Sequence, residues 1–335
     1  VQYRTLGRTG IQVSPYALGT LMFATTMGND PADSARIIHK AIDAGINVVD
    51  TADAYGDSEE VVGKALEGRR DDVVLATKFG RPIGQDPNHQ GASRRWIVAA
   101  VEGSLRRLGT DHIDLYQLHR PDPDTDIEET LAALTDLIRS GKVRAIGASQ
   151  TPAADIVEAQ WVAERRGLAR FHTEQPAYSI LSRGIEREIL PTVQRHGMGS
   201  LVWGPLAQGL LTGRNPGDLR RAGLARHLSD ARRLGVVEQL QPLAADAGLP
   251  MTHLAMAFTI AHPGVTCALL GARTEAHLDD LLAGLDVTLS DDVLDRIDEI
   301  VPPGSDVGAL DQAYQPPALG EPNRRRRPLA ARAAA

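Results

Sequence analysis

At 335 residues, 42% apolar and 24% charged, the chain has an ordinary soluble composition and enough length for one large domain or two small ones with a substantial core. No run approaches the ~18 consecutive apolar residues of a membrane span, and the opening "VQYRTLGRTGIQV" lacks the apolar core of a secretory signal, so a cytoplasmic address without membrane contact is expected. The net charge of −7 weighs against a nucleic-acid-binding surface, and the single cysteine, Cys267 in "VTCALLGA", excludes an internal disulfide and reads as a core thiol.

In chain order, "VQYRTLGRTGIQVS" turns at "GRTG" and reads as a β-hairpin able to close the bottom of a barrel. Eight apolar runs follow: "YALGT", "INVVD", "VVLATK", "IDLYQLH", "VRAIGAS", "FHTEQP", "SLVWG" and "TCALLGA". Their ends fall near Thr20, Asp50, Lys78, His119, Ser149, Gln175, Trp203 and Gly271, mostly at the spacing of successive βα units. Runs this continuously apolar suit strands buried on both faces. Between them, "DPADSARIIHKAIDAG" sets Ile37, Ile38, Ala41 and Ile42 on one helical face and closes with Gly45. "DIEETLAALTDLIRSGKV" starts with acids, repeats Leu131, Leu134, Leu137 and Ile138, and stops at Gly141.

Eight strands and eight crossovers without a composition break predict a single (β/α)₈ TIM barrel over residues 1–315. The alternative, a doubly wound sheet, would need a G-x-G-x-x-G after the first strand, and "GTLMFATTMGND" is not that fingerprint. Two connections are long enough to cover the mouth. "FGRPIGQDPNHQGAS" follows the third strand. The segment from Leu206 to about Arg233 follows the seventh and holds Arg214, Arg220, Arg221, Arg226, Arg232 and Arg233. Residues 316–335, with the Arg324 to Arg327 block, read as a solvated, disordered basic tail.

Catalytic groups of such a barrel come from the C-terminal ends of its strands. Asp50, Lys78 and His119 end strands two, three and four, and Tyr55 follows Asp50 by five residues. Each has an ordinary structural explanation by itself, as a turn acid, a surface cation, a satisfied imidazole or a packing ring. Together they converge on one rim. A carboxylate beside an ammonium keeps both ionised, and an ammonium near a phenol favours the phenolate, lowering its pKa from the usual ~10. That set suits reduction of a carbonyl: Tyr55 protonates the developing alkoxide, Lys78 with Asp50 tunes it, and His119 orients the carbonyl oxygen. The hydride must come from a cofactor. A metal site has no complete ligand set, since His112 and His119 are seven apart and point to opposite faces of a strand.

The motifs "DTADAYGDSEEVVGKAL", "LATKFG", "DLYQLHRPDPDT", "GKVRAIGAS", "EQPAYSIL", "WGPLAQGLLTGR" and "LLGARTEAHLDDLL" resemble the aldo-keto reductases, in particular the branch related to voltage-gated potassium-channel β subunits. The resemblance runs over nearly the whole chain. It implies the (β/α)₈ fold, a tetrad of Asp50, Tyr55, Lys78 and His119, and NADPH/NADP+ bound extended across the mouth without a Rossmann motif. It places Gly19 and Thr20 at the nicotinamide end beside Asp50, with Ser149, Gln150 and Gln175 toward the carboxamide and Trp203 under the ring. Pro205, Leu206, Gly209, Leu211 and Gly213 would wrap the pyrophosphate, with Arg214 nearby. Gly271, Arg273 and His277 would meet the adenosine end. Two departures stand out: Gln150 where the family has asparagine after the serine, and His277 and Leu281 where it has glutamine and asparagine.

The resemblance implies an NADP-dependent reductase of aldehydes or ketones with a small-molecule carbonyl substrate. A weakly catalytic NADP(H)-binding redox sensor attached to a protein partner is the alternative, and homo-oligomerisation is left open. Arg81, Gln85, Asn88 and His89 in the first cover admit a polar or anionic substrate as well as a small aldehyde.

Overall fold

The computed structural model describes residues 2–213, 230–308 and 314–332. β1 (Arg4–Thr5) and β2 (Gln12–Val13) form the expected antiparallel hairpin, pairing Arg4 with Val13 and Thr5 with Gln12. Its turn drives Leu6 and Val13 under the barrel, where both are fully buried against Ala17, Val48, Leu115, Leu201 and Cys267. Arg4 donates to the Val265 carbonyl at 3.0 Å, tying the hairpin to the chain that enters the last strand.

Eight parallel strands close into a barrel: β3 (Tyr16–Gly19), β4 (Val48–Asp50), β5 (Val74–Phe79), β6 (Ile113–Leu118), β7 (Val143–Ala148), β8 (Thr173–Glu174), β9 (Gly199–Val202) and β10 (Cys267–Leu270). Each pairs with its successor, and β10 returns to β3 through Ala268 opposite Tyr16. The protein is therefore a (β/α)₈ barrel, as the apolar runs predict. β8 is short because Pro176 has no N–H to extend the ladder beyond Gln175, whose own N–H reaches Ala148 at 2.9 Å.

The helices follow their sequence signals. In α1 (Pro31–Asp43), Asp30 caps the Ala32 N–H at 2.7 Å, proline occupies the first turn, and Ile37, Ile38 and Ala41 are buried against the barrel. After α2 (Ser58–Ala65) and α3 (Arg94–Leu108) comes α4 (Ile127–Arg139), capped by Asp126 and burying Leu131, Leu134 and Leu137. α5 (Ala153–Arg166) and α6 (Ile189–Arg195) complete the next two units.

The crossover from β9 to β10 departs from one helix per strand, because α7 (Ala231–Asp246) and α8 (Met251–Ala261) share it. α8, mostly apolar, is buried from Met251 to Thr259, and α7 packs against it. Two arginines assigned to the second cover, Arg232 and Arg233, belong to α7 instead, Arg233 being fully buried. Arg214, Arg220, Arg221 and Arg226 lie outside the described residues. α9 (Glu275–Ala283) and α10 (Asp291–Ile300) follow β10. Among the described residues of the tail, expected to be disordered, 317–320 and 322–325 form single helical turns, and no residue from 314 to 332 is buried. No helix among the described residues is long and apolar enough to cross a membrane.

Candidate active site

The four residues with reactive groups meet at the C-terminal end of the barrel. Asp50 closes β4, Lys78 is the penultimate residue of β5, and His119 directly follows β6; all three are buried. The Lys78 ammonium donates to Asp50 Oδ1 and, at 2.9 Å, to the Thr51 carbonyl. Asp50 Oδ2 accepts from Gln175 at 2.9 Å and Gln117 at 3.1 Å, so both oxygens of the carboxylate are engaged. Tyr55 stands above this floor. Its ring lies 5.2 Å from Lys78 Nζ and meets the His119 imidazole edge-on, with centroids 5.6 Å apart and planes at 79°.

Charge is set by burial and by neighbours. Burial pulls the Lys78 ammonium down, but Asp50 and the Tyr55 phenol outweigh it and hold the group above its ordinary value. His119 goes the other way: burial, then Lys78, Arg120 and Arg81, push it well below the usual imidazole range, so it is neutral at pH 7. Its Nδ1 has no hydrogen-bond partner among the described residues. A neutral imidazole beside a phenol and a fixed ammonium can orient a carbonyl oxygen without competing to protonate it.

A cavity of about 410 Å³ opens over these groups and runs from Tyr55 and His119 across the mouth to α9. Gly19, Thr20, Asp50, Ser149, Gln150, Gln175, Trp203, Pro205, Leu206, Gly209, Gly271, Arg273 and His277 all line it. Leu211 and Gly213 do not: Leu211 is fully buried in the core and Gly213 is exposed outside the cavity. Lys78 lies beneath the lining, bonded to Asp50 and under the Tyr55 ring, and Arg214 lies outside the described residues. Trp203 forms a bridge to Ala177 that fixes the start of the glycine-rich turn, and Ala207, Gln208 and Gly209 all have positive φ. Two of these are not glycine, a strain of order 1–3 kcal/mol each that loops retain around ligands.

Ser149 donates to the Gln175 carbonyl at 2.8 Å, and the Gln175 amide nitrogen is committed to Asp50 and Gln117. What these two offer the cavity is therefore acceptor oxygens, matched to an amide NH₂. Gln150, in place of asparagine, adopts φ 58°, and its side-chain oxygen accepts the Tyr314 N–H from the tail. Below this turn the Glu174 carboxyl, fully buried, accepts from the Thr151 N–H at 2.9 Å, and burial pushes it up to about 8.

Sequence reading passed over several lining residues. Leu21 and Met22 come from a 3₁₀ turn after β3, Thr252 from α8, and Asp280 from α9 beside Leu281; none of these four belongs to a local pattern that marks it. Gln117, a polar residue inside the apolar run "IDLYQLH", did carry a signal.

Asp53, two residues before Tyr55, is 6% exposed, and neither oxygen completes a hydrogen bond among the described residues. Burial pushes it up to about 8; Glu59 adds to the rise, while Arg107, the Ala54 N–H and Lys78 oppose it. The folded carboxyl thus keeps its proton far above the pH at which the unfolded one loses it near 4. Between those values the unfolded state binds fewer protons, and stability falls as pH rises. Relative to Asp53→Asn, the wild type is expected to lose about 2 kcal/mol between about pH 6 and pH 8, read from urea unfolding curves. A difference that is flat with pH would mean that Asp53 is ionised in the fold.

Residues 16–302 match the model of the Aldo/keto reductase family. A Bacillus subtilis protein named Uncharacterized oxidoreductase YrpG is 38% identical over 333 residues, covering 94% of this chain and 99% of that one. A Probable voltage-gated potassium channel subunit beta of Oryza sativa subsp. japonica is 37% identical over 322 residues, 90% of this chain and 97% of its own. Versiconal hemiacetal acetate reductase of Aspergillus parasiticus is 32% identical over 333 residues, 89% and 96% of the two chains. Matched by the family model over most of its length and by relatives over nearly all of theirs, the chain belongs to the aldo/keto reductase family of oxidoreductases.

Proposed function

We propose that the protein is an NADPH-dependent reductase of aldehydes or ketones in which Tyr55 is the general acid. The observation that carries this is the stacking of functions at one point: a buried ammonium–carboxylate pair under Tyr55, with neutral His119 at the ring edge. The cavity suits the cofactor. Its acceptor oxygens on Ser149 and Gln175 fit a carboxamide, Trp203 offers a ring face, and Arg273 offers a guanidinium at the far end. Gly271 faces open space where a side chain would intrude. When bound, NADPH supplies the hydride. Tyr55 then gives its proton to the carbonyl oxygen, the phenolate left behind faces Lys78, and Asp50 keeps that ammonium in place.

The test is fluorescence titration with NADPH and NADH followed by NADPH oxidation against aldehydes and ketones. Binding with turnover supports the reductase. Binding without turnover on any carbonyl favours the second reading, a redox-sensing subunit on a protein partner, which the potassium-channel relatives motivate. Arg273→Ala is expected to weaken NADPH about tenfold and NADH much less, because only NADPH carries a 2′-phosphate for a charge-assisted bond. Equal weakening would move the phosphate site elsewhere.

A further inference from the structure

We infer that Arg81 and Arg120 form an anion subsite at the reacting end of the cavity, selecting carbonyl substrates that also carry a carboxylate or phosphate. The inference rests on the reductase reading of the same cavity. Arg120 directly follows His119 after β6, and Arg81 lies three residues beyond Lys78 after β5; both line the cavity beside Tyr55 and His119. In the closed strand order, β5 stands four strands from β9, and β6 four from β10. The glycine-rich turn after β9 and Arg273 after β10 are therefore diametrically across the mouth from this pair. The cofactor's phosphates belong to that far side and do not explain two arginines beside the proton donor.

The electrostatics around the pair call for an anion. Arg120 is pulled down to about 10 by burial and then by Arg81, so the two guanidiniums feel each other. Among the described residues Arg81, which is exposed, makes no hydrogen bond or ion pair. Arg120 donates to the His119 carbonyl at 2.8 Å, which fixes its guanidinium beside the end of β6. The acids in the lining are committed or distant: Asp50 is held by Lys78, Gln117 and Gln175, and Asp280 belongs to α9. Glu174, behind Arg120, keeps its proton up to about 8. Leu21 and Met22 supply an apolar wall for the body of such a substrate.

The test compares matched pairs in NADPH oxidation: 4-formylbenzoate against its methyl ester, and glyceraldehyde 3-phosphate against glyceraldehyde. At least ~10-fold higher kcat/KM for an anion, expressed mainly in KM, is expected, and the pair that shows it tells carboxylate from phosphate. That ratio should collapse in Arg81→Gln and in Arg120→Gln; Arg81 is exposed, so its variant is not expected to disturb folding. Equal values within both pairs, or a preference that survives both substitutions, overturns the subsite while leaving the reductase standing. If no carbonyl is turned over, binding of terephthalate against its dimethyl ester to the NADPH-loaded protein gives the same comparison. Selective binding lost in Arg81→Gln keeps the subsite though the reductase reading fails, and equal binding ends both.

Discussion

Replacing Tyr55 by phenylalanine is expected to lower carbonyl turnover at least ~100-fold with NADPH binding retained, the scale of a lost general acid. Phenylalanine keeps the ring, its edge contact with His119 and its position over the Lys78 ammonium, and removes only the hydroxyl. No neighbour can take over. His119 is held neutral by burial and by Lys78, Arg120 and Arg81, so at pH 7 it has no surplus proton to give. Lys78 is bound to Asp50 and Thr51 beneath the lining of the cavity. Steady-state NADPH oxidation and a fluorescence titration on the same variant separate chemistry from binding. Turnover near the wild-type level would place the proton donor elsewhere, and lost NADPH affinity would make Tyr55 a binding residue.

The same physics explains what the sequence made readable. Barrel strands buried on both faces must be continuously apolar, so "VVLATK" and "IDLYQLH" announce themselves, and a polar or charged side chain at the end of such a run is costly enough to stand out. Lys78 and His119 are visible for that reason. Gln117 breaks its run in the same way and was passed over, because one amide in a strand has many structural uses; only the closed barrel brings it to Asp50 and Gln175. Arg120 carries no local mark in the sequence; the end of β6 brings it to the cavity that Tyr55 also lines. The glycine-rich turn shows the opposite failure. Motif matching treats its residues alike, but the sharp reversal at Ala207, Gln208 and Gly209 sends Leu211 into the core while Gly209 stays on the cavity. Which side of a tight turn faces a ligand is decided by φ and ψ, and composition does not encode that.

Lys78→Met is expected to cost 3–5 kcal/mol, roughly the penalty of leaving a buried carboxylate without its partner. Asp50 would keep its bonds from Gln117 and Gln175 but lose the compensating charge, both partners being about as inaccessible as any atoms in the fold. The stranded carboxyl should then take up a proton, so the deficit against wild type should shrink as pH is lowered toward the carboxylate range. Asp50→Asn offers no relief, because its amide NH₂ must face either the Lys78 ammonium or the donors of Gln117 and Gln175. The decisive comparison in urea unfolding is the double variant Asp50→Leu with Lys78→Met. If the double is at least as stable as wild type yet fails to oxidise NADPH with any carbonyl, the pair is kept for chemistry at the expense of stability. If the double is the least stable of the three, the pair is a structural fixture of the barrel, and the catalytic case then rests on Tyr55 and His119.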